Sequence, residues 1–438
     1  MLRLYAAWTE ARSGPGSQSA DPAVLEAIRS QVDAAAEKPA PSEAPAPAHT
    51  ATGPSPAPTP TPAPLRPSVI FLMSESFFDV TAMPGTGFET DPLKHFHSLC
   101  REGVSGDFIS PTYCGGTGYV EMEVLTGICS GLLRSGDTLT SLPEEKYGDL
   151  PCLTDALKAQ GYASVFIHSY NDRLYNRRTV YTAFGFDELR FEEDFPEGAA
   201  RAGGYLSDGS LTAEILAALD AGEGPKLIFA VSMENHQPYN AAKFGEPCAS
   251  GVRCPGLDGE ETAVLEAYVR GAEDADAALG ALAAALKTRE EPVLLVFWGD
   301  HRPNLGLPDG RNVYAALGCC TGTDTEAWQP EELRRMLTTN FLLWANYGLE
   351  PARRTESSTL LGLHVLERLG CPLTDWFRWL QMHAEGEYLM YRPRLYVDGE
   401  GTAYARIPPQ AELIMDTYGA AVGDVVYGGG TIFRKYRR

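Results

Sequence analysis

Val293-Leu-Leu-Val-Phe-Trp-Gly-Asp300-His301 is an apolar run that ends in an acid and an imidazole. Three other apolar runs end in polar residues in the same way: Val69-Ile-Phe-Leu-Met-Ser-Glu75, Ser164-Val-Phe-Ile-His168 and Leu227-Ile-Phe-Ala-Val-Ser-Met-Glu-Asn-His236. Short apolar runs of this kind are typical of strands buried in a parallel sheet. Ligands of open α/β sheets bind beyond the carboxyl ends of the strands, so the four polar ends are expected to converge in space.

Helical patterns separate these runs along the chain. They cover residues 152–160, 211–219 and 260–287, and each is followed by a strand-like run. This alternation predicts an α/β fold, in which a mostly parallel central sheet is flanked by helices on both faces. Further patterns predict a strand at 341–346 and a helix at 357–369. Short alternating pieces from about residue 388 predict a small C-terminal α+β annex.

A stretch made almost entirely of Pro, Ala, Thr and Ser divides the chain at residues 39–66. Such a composition cannot build a core and favours a semi-extended spacer. Apolar residues before it, at Val24, Leu25, Ile28 and Val32, have the spacing of one short amphipathic helix. We therefore expect an N-terminal segment at 1–38, a linker at 39–66 and a folded domain at 67–438, with its annex at about 388–438.

The composition excludes some classes of partner. The chain has 438 residues and a formal net charge of −22. This acidity argues against a nucleic-acid partner, because phosphate backbones are bound by clustered Lys and Arg. The nine cysteines include no Cys-x-x-Cys zinc pattern. Cys248 and Cys254 bracket a short loop and could form a small disulfide in an oxidising compartment.

The sequence predicts no transmembrane helix, because its longest apolar runs are far shorter than the roughly 20 residues that span a bilayer. The start, Met1-Leu-Arg-Leu-Tyr-Ala-Ala-Trp8, is too short for the apolar core of a signal peptide, and Glu10 follows it closely. We therefore expect neither a membrane span nor a signal peptide within these residues.

The turn Gly115-Gly-Thr117 supplies a candidate nucleophile. The apolar residues that follow it, Val120, Val124, Leu125 and Ile128, form a helical stripe, which places Thr117 at or near a helix N-terminus. Unpaired N–H groups and the helix dipole stabilise an alkoxide and a phosphoryl oxygen at such a position. An ordinary Thr N-cap has the same spacing, so both interpretations stand at this point.

The polar strand ends supply candidate metal ligands. Glu75, Asp300 and His301 offer carboxylate oxygens and an imidazole nitrogen, a mixture that suits Mn²⁺ or Zn²⁺. His236 titrates near neutral pH, which suits it to donating a proton to a leaving group. A solvated strand end, a capping Asp or a structural His would present the same residues, so spacing alone leaves these alternatives open.

Four stretches, in the same order, resemble the lipoteichoic acid synthase and phosphoglycerol transferase family, a sulfatase-like branch of the alkaline phosphatase superfamily. They are Ser74-Glu75-Ser76-Phe77, Gly115-Gly-Thr-Gly-Tyr-Val-Glu121 with Leu125-Thr-Gly127, Met233-Glu-Asn-His-Gln-Pro-Tyr239, and Gly299-Asp-His-Arg-Pro-Asn-Leu-Gly306. The resemblance covers most of the chain after the linker. It implies an alkaline phosphatase/sulfatase-like fold for that domain.

The resemblance also implies roles for particular residues. Glu75, Thr117, Asp300 and His301 would be the ligands of one divalent ion, typically Mn²⁺, with Mg²⁺ or Zn²⁺ as alternatives. Thr117 would be the nucleophile, and His236 would bind substrate and take part in catalysis.

A second set of implied residues would contact the substrate. The segment Asn171-Asp-Arg-Leu-Tyr-Asn-Arg177 resembles an aromatic-Asn-Arg stretch of the family. On that match Tyr175 and Arg177 would contact the phosphate or glycerol of the substrate, and His168 would line the same pocket. The family's lipoteichoic acid synthases usually have Trp where Tyr175 stands, which leaves the identity of the transferred head group open.

The implied activity is that of a phosphotransferase. It would move glycerophosphate from a phosphatidylglycerol-type lipid, through a covalent intermediate on Thr117, to a polyglycerolphosphate or glycolipid acceptor. The family works on the extracellular face of the bacterial cell membrane and normally carries transmembrane helices ahead of the linker. Since this chain shows none, we expect membrane contact through a missing or separate membrane portion, or else a soluble variant.

Other activities compete with this interpretation. A phosphoethanolamine transferase or a phosphodiesterase would use the same metal and threonine. A sulfatase activity is disfavoured, because Cys114-Gly-Gly-Thr-Gly lacks the Pro and Arg of the Cys/Ser-x-Pro-x-Arg context that formylglycine formation needs. A non-catalytic, polyanion-binding domain would have no reason to keep Glu75, Thr117, Asp300 and His301 together.

Overall fold

The computed structural model describes residues 22–36, 66–384, 386–430 and 432–433. Its strands, in chain order, are β1 Ser68–Ser74, β2 Gly87–Phe88, β3 Val104–Ile109, β4 Ala163–His168, β5 Glu188–Arg190, β6 Arg201–Ala202, β7 Tyr205–Leu206, β8 Lys226–Val231, β9 Val252–Arg253, β10 Val293–Gly299, β11 Thr338–Ala345, β12 Ala352–Ser357, β13 Tyr388–Arg392, β14 Leu395–Asp398 and β15 Ala403–Tyr404. Its helices are α1 Pro22–Ala36, α2 Lys94–Cys100, α3 Thr117–Thr126, α4 Glu144–Tyr147, α5 Leu153–Lys158, α6 Arg177–Ala183, α7 Asp208–Asp220, α8 Gly259–Lys287, α9 Val313–Ala316, α10 Pro330–Leu337, α11 Leu361–Arg368, α12 Asp375–Ala384 and α13 Glu412–Val426.

An eight-stranded sheet organises the fold, with the strand order β12-β3-β11-β10-β1-β8-β4-β5. Strand β11 pairs antiparallel with both of its neighbours, and the other pairs in the sheet are parallel. The predicted mostly parallel sheet is confirmed. Strands β10, β1, β8 and β4 are consecutive in this order, so the polar residues at their carboxyl ends lie side by side at one edge.

Both faces of the sheet are covered, as the continuous apolar runs require. In β1, Val69, Phe71 and Met73 belong to one core together with residues of α3, α5 and α11. Ile70 and Leu72 point to the opposite face, whose core includes residues of α2, α7 and α8. Successive strand residues point to opposite faces, so each buried strand contributes to both cores.

The helices predicted from periodicity are present with shifted ends. They correspond to α5, α7, α8 and α11, and the predicted strand at 341–346 is the second half of β11. The carboxylate of Asp258 caps α8 by accepting from the backbone N–H groups of Glu260 and Glu261. The run expected to end as a strand at His236 is shorter, because β8 stops at Val231. His236 lies beyond it in a turn, where its N–H donates to the carbonyl of Met233.

The C-terminal annex is a three-stranded antiparallel sheet, β13-β14-β15, followed by α13. The predicted N-terminal amphipathic helix is α1, which packs against α12 and α13 and buries Ile28 and Val32. The expected linker lies outside the described residues, apart from its last position, and so does the segment before residue 22. Within the described ranges, none of the helices combines the length and apolar character needed to cross a bilayer. Cys248 and Cys254 are free thiols.

Candidate active site

Glu75, Asp300 and His301 form a buried cluster beyond the ends of the adjacent strands β1 and β10. One ligand atom from each residue can be chosen so that all three atoms lie within 4.8 Å of one another. Asp300 is completely buried, and Glu75 and His301 are 3% exposed. Two carboxylates and an imidazole so close together in a buried place need a compensating positive charge.

Backbone and serine groups hold the two carboxylates in place. The Ser76 N–H donates to Asp300 Oδ1 at 2.7 Å, and the Ser76 hydroxyl donates to Glu75 Oε1 at 2.8 Å. The Glu75 N–H donates to the Ser232 hydroxyl at 3.0 Å, which ties the end of β1 to the residue after β8. Ser76 has a φ of 56°, an uncommon conformation for a residue other than glycine, and it turns the chain so that both contacts form.

The orientation of His301 presents one ring nitrogen to the carboxylates. Its Nδ1 lies 3.1 Å from the carbonyl of Arg302, which can only accept, so Nδ1 carries a proton. Nε2 is the nitrogen on the side of the carboxylates, and it lies 3.2 Å from Asp300 Oδ2 and 3.9 Å from Glu75 Oε1. A carbonyl that fixes the tautomer of a metal-binding histidine is a common feature of metal sites.

The raised pKa and the hydrogen bonding of Asp300 also indicate a site for a cation. Burial, and next the charge of Glu75, raise the pKa of Asp300 to about 6, although His301 and hydrogen bonds from Ser76 and Thr117 act in the opposite direction. Asp300 Oδ2 is buried and lacks a hydrogen-bond partner of acceptable geometry. A buried, unsatisfied carboxylate oxygen beside a second carboxylate and an imidazole nitrogen is the donor set that a divalent ion would complete.

Thr117 lies beside this cluster as the first residue of α3. Its Oγ1 is 3.5 Å from His301 Nε2, and the residue is 7% exposed. The two preceding glycines have φ values of 141° at Gly115 and 89° at Gly116, conformations that residues with a Cβ rarely adopt. They allow the loop after β3 to bring the helix N-terminus to the buried carboxylates.

Arg177 is buried in an ion pair with Glu121 on helix α3, which begins at Thr117. Its Nε donates to both Glu121 oxygens, at 3.2 and 3.1 Å, and its Nη2 contacts the same carboxylate. Nη1 lies 3.0 Å from His168 Nε2, and the hydroxyl of Tyr181 also donates to Glu121. Arg177 is 1% exposed, so the structure places it behind the site. Its expected contact with substrate stays a prediction.

His168 is held by the same network. Its Nδ1 is 3.1 Å from the carbonyl of Val231, so Nδ1 donates there while Nε2 accepts from Arg177. Burial, followed by the charge of Arg177, holds the pKa of His168 well below its usual range. The ring is therefore neutral with both nitrogens in use, and its expected place in the substrate pocket also stays a prediction.

Tyr175 lies shortly before α6, is half-buried and packs against the start of α3. A Cβ added to Gly118, the residue after Thr117, would lie 2.7 Å from Tyr175 Cγ, so the ring packs directly on the helix N-terminus. The guanidinium of Arg177 lies 5.1 Å from the ring centroid. Tyr175 has a φ of 59°, and it is brought next to the candidate nucleophile. The expected contact of Tyr175 with the substrate stays a prediction.

His236 lies in the turn after β8, near enough to the cluster for the charges of His301 and Asp300 to act on it. Its Nδ1 is 2.7 Å from the carbonyl of Gln237 and 3.3 Å from the hydroxyl of Tyr205. Since the carbonyl only accepts, Nδ1 carries the proton, and Nε2 is the nitrogen with a lone pair. Burial lowers the pKa of His236, and the charges of His301 and Lys243 act in the same direction. The ring is therefore neutral at pH 7 and suited to accepting a proton.

Sequence reasoning missed the residues that hold the site together. Ser76 and Ser232 support the carboxylates, Glu121 anchors Arg177, and Tyr205 and Lys243 surround His236. Lys243 Nζ donates to the His236 carbonyl at 2.6 Å. Ser76 and Glu121 lie within the motifs themselves, where their neighbours were a usable signal. Ser232, Tyr205 and Lys243 carry no local signal.

Comparison with known proteins gives both a family and relatives. A family model described as Sulfatase matches residues 67–364. A Rhizobium meliloti (strain 1021) protein, whose name connects it with cyclic beta-1,2-glucan modification, is 34% identical over 310 residues, which are 70% of this chain and 46% of that protein. The capsular polysaccharide biosynthesis protein RkpI of the same organism is 30% identical over 256 residues, 57% of this chain and 44% of that protein. The chain therefore spans less than half the length of these curated relatives.

Solved structures share the fold. The Streptococcus pyogenes phosphoglycerol transferase GacH, in complex with sn-glycerol-1-phosphate, has a TM-score of 0.69 at 19% identity, covering 96% of this chain and 97% of that chain. The lipoteichoic acid synthase LtaP from Listeria monocytogenes has a TM-score of 0.59 at 17% identity, covering 84% and 92%. At these identities the likeness shows a common fold.

Proposed function

The chain belongs to the sulfatase family, and from that premise we propose that it is a metal-dependent phosphoglycerol transferase. In this proposal the enzyme moves glycerophosphate from a phosphatidylglycerol-type lipid to an acceptor hydroxyl through a covalent intermediate on Thr117. The observation that carries the proposal is the Thr117 hydroxyl at a helix N-terminus, 3.5 Å from His301 Nε2 in the Glu75–Asp300–His301 cluster.

Four residues would hold the metal ion. Glu75 and Asp300 would give carboxylate oxygens, His301 would give Nε2, and Thr117 would give its hydroxyl oxygen. A divalent ion such as Mn²⁺, Mg²⁺ or Zn²⁺ lowers the pKa of a coordinated hydroxyl and neutralises charge on a phosphoryl group. The buried Asp300 Oδ2, which lacks a hydrogen-bond partner, supports this assignment.

The reaction would proceed in two displacements. Thr117 Oγ1 gives up its proton to water and attacks the phosphorus, and the bond from phosphorus to the diacylglycerol oxygen breaks. The departing alcohol takes a proton from water. The acceptor hydroxyl then attacks the phosphorus, the bond to Thr117 breaks, and Thr117 recovers a proton.

His236 serves the second displacement best. Its lowered pKa keeps Nε2 unprotonated, so this nitrogen can accept the proton of the acceptor hydroxyl as the new bond forms. Tyr205 and Lys243 position the ring through its Nδ1 and its backbone carbonyl. Tyr175, packed on Gly118, would contact the transferred group, and Arg177 would hold α3 in place through Glu121.

The acceptor and the location belong to the proposal. The acceptor would be a polyglycerolphosphate or a sugar hydroxyl, and the names of two relatives, which refer to a glucan and a capsular polysaccharide, favour the sugar. The enzyme would work at the extracellular face of a bacterial membrane, where a lipid donor is accessible. Contact with that membrane would come from a portion of the protein beyond this chain or from a separate subunit.

Head-group cleavage in lipid micelles tests the proposal. With Mn²⁺ present, the wild-type chain should release diacylglycerol from phosphatidylglycerol, and Thr117→Ala should lower the rate by about 10³-fold or more. Thr126→Ala, at the other end of the same helix, serves as the matched control and should retain activity. Faster cleavage of phosphatidylethanolamine would favour the phosphoethanolamine transferase alternative. Failure to cleave either lipid would contradict the proposal.

A further inference from the structure

A third buried carboxylate is linked to the metal cluster through one serine. Asp208, the first residue of α7, is 5% exposed, and its carboxylate makes a hydrogen bond with the side chain of Ser232. The Ser232 oxygen also accepts from the Glu75 N–H at 3.0 Å, so the proton of its hydroxyl is free to be donated to Asp208. Ser232 therefore connects the carboxylate of Asp208 with the backbone of a candidate metal ligand, Glu75.

Among the described residues, no cation acts on the charge of Asp208. Burial, and next the charge of Asp274, raise the pKa of Asp208, the Ser232 hydroxyl lowers it, and the charge of Glu75 raises it further. Asp208 Oδ1 is also buried and has no hydrogen-bond partner within the part of the chain that the structure describes. A buried carboxylate in such surroundings is costly unless positive charge lies nearby, and the ion of the cluster would supply that charge.

Glu234, the acid next to Asp208, is in a different state. Its Oε2 accepts from the Asp208 N–H at 2.6 Å, and its carboxyl group makes a hydrogen bond with the carboxyl group of Asp274. Two carboxyl groups can share a hydrogen bond only if one of them is protonated. Since the ion pair with Arg270 stabilises the charged form of Asp274, the proton lies on Glu234. Burial, and next the charge of Asp208, raise the pKa of Glu234 accordingly.

The start of α7 favours the charged form of Asp208. Ser207 caps this helix by accepting from the Ser210 N–H at 3.1 Å, and Asp208 lies in the first turn. Negative charge is stabilised in the first turn of a helix, because the helix dipole has its positive end there. Asp208 therefore adds a third negative charge to those of Glu75 and Asp300. The electrostatic attraction of this buried region for a divalent ion rises with that charge.

We propose that Asp208 is a positioning residue of the metal cluster. Through the hydroxyl of Ser232 it holds the backbone of Glu75 in place, and its negative charge increases the affinity of the cluster for a divalent ion. Hydrogen-bonding groups that lie behind metal ligands typically change metal affinity by about 10–100-fold. The inference rests on the metal site of the proposed function and does not depend on which group is transferred.

Calorimetric titration of Mn²⁺ into the metal-free chain tests this role without any substrate, at pH 8, which favours the ionised form of Asp208. Asp208→Asn keeps the shape of the side chain and an oxygen for the Ser232 hydroxyl but removes the charge. It should raise the Kd for Mn²⁺ about tenfold and leave the number of bound ions per chain unchanged. Ser232→Ala breaks the link from the other side and should also raise the Kd. Glu234→Gln is the matched control: it replaces a carboxyl group that is already neutral, so the Kd should stay the same.

The contradicting results are distinct. An unchanged Kd in folded Asp208→Asn would overturn the inference, as would an equal rise of the Kd in Glu234→Gln. The loss of one of two bound ions in Asp208→Asn would make Asp208 a ligand of a second ion and would also overturn it. The melting temperature of each variant in EDTA establishes that it is folded. Weaker Mn²⁺ binding by Asp208→Asn without any lipid cleavage by the wild type would overturn the transferase and keep this inference. A wild type that binds no Mn²⁺ would overturn both.

Discussion

At the scale of single residues, the site is defined by negative charge that the protein itself leaves uncompensated. Burial and Glu75 raise the pKa of Asp300, and its Oδ2 has no hydrogen-bond partner. A buried carboxylate in such a place destabilises the metal-free fold and creates affinity for a cation.

Replacing Asp300 by Asn should therefore have opposite effects with and without metal. In the presence of EDTA, Asp300→Asn should raise the free energy of unfolding by about 1–3 kcal/mol, because it removes the repulsion with Glu75. Mn²⁺ at 100 times its Kd should stabilise the wild type by about 2.7 kcal/mol and the variant far less. Urea denaturation with EDTA and with Mn²⁺ measures both effects.

Asp276→Asn is the matched control. Asp276 is 2% exposed, and its carboxylate accepts from the backbone N–H groups of His95 and Phe96, not from any residue of the cluster. Stabilisation by Mn²⁺ should persist in this variant. Equal stabilisation of Asp300→Asn and the wild type by Mn²⁺ would show that the ion binds elsewhere.

The sequence alone could identify the chemical groups of this cluster but not their supports. Glu75, Asp300 and His301 stand at the ends of apolar runs, and the structure brings them together. Their supports come from distant positions: Ser76 and Asp300 are 224 positions apart, and Glu75 and Ser232 are 157 apart. A serine that accepts from a backbone N–H across a sheet has no local pattern, so only the fold reveals it.

At the scale of elements, helix α3 is fixed by the ion pair between Glu121 and Arg177. Arg177→Met should cost about 3–5 kcal/mol of unfolding free energy, because it leaves Glu121 charged and buried without its partner. Adding Glu121→Gln to Arg177→Met should recover part of that loss, because it removes the buried charge that has lost its partner. Urea denaturation of the two single variants and the double variant gives the coupling energy.

Arg178→Met is the control for this pair. Arg178 is half-exposed and pairs with Asp172 and Glu193 at the surface, so its loss should cost less than about 1 kcal/mol. If the changes in unfolding free energy of the two single variants add up to that of the double variant, and Arg177→Met is almost as stable as the wild type, then the ion pair does not stabilise α3. The guanidinium would then be available for a substrate phosphate.

Helix α2 is attached to the segment after β1 by a pH-dependent contact. His97 Nε2 lies 3.3 Å from Asp79 Oδ2, and Nδ1 lies 2.8 Å from Asp91 Oδ2. The hydrogen bond to Asp79 raises the pKa of His97 to about 9, the contact with Asp91 acts in the same direction, and burial opposes both. The folded-state pKa is above the unfolded value near 6.5. The contribution of His97 to stability is therefore complete below pH 6.5 and is lost as pH rises through about 9.

His97→Gln should consequently lower the melting temperature most at pH 6 and hardly at all at pH 10. Thermal unfolding of the wild type and the variant across this range measures the difference. If His97→Gln lowers the melting temperature by the same amount at pH 6 and at pH 10, then packing and not charge accounts for the stabilisation by His97.

The sequence predicts those elements whose pattern is strong and local. The long amphipathic pattern at 260–287 became α8 almost residue for residue, because Asp258 caps it and its apolar stripe is continuous. The final helix, α13, was not predicted as a separate element. Two glycines and three valines within Glu412–Val426 weaken its intrinsic helix propensity, and packing against α12 and α1 stabilises it instead.

At the scale of the whole molecule, the order of the strands creates the site. The sequence predicts that the four polar strand ends converge, but it does not predict the order of the strands in the sheet. The sheet places β10, β1, β8 and β4 side by side, so Asp300, Glu75, Ser232 and His168, each at or directly after a strand end, follow one another along a single edge. Strand order depends on long-range packing of alternating faces, which no local pattern encodes.

In the proposed reaction, Thr117 forms a covalent bond to the transferred group. Intact-protein mass spectrometry after incubation with phosphatidylglycerol and Mn²⁺ tests this step, with Thr117→Ala and Thr117→Ser measured beside the wild type. The wild type and the serine variant should gain the mass of one glycerophosphoryl group, and the alanine variant should gain none. Lipid cleavage by the wild type with no adduct at any time, or the same adduct on Thr117→Ala, would contradict a covalent intermediate on Thr117.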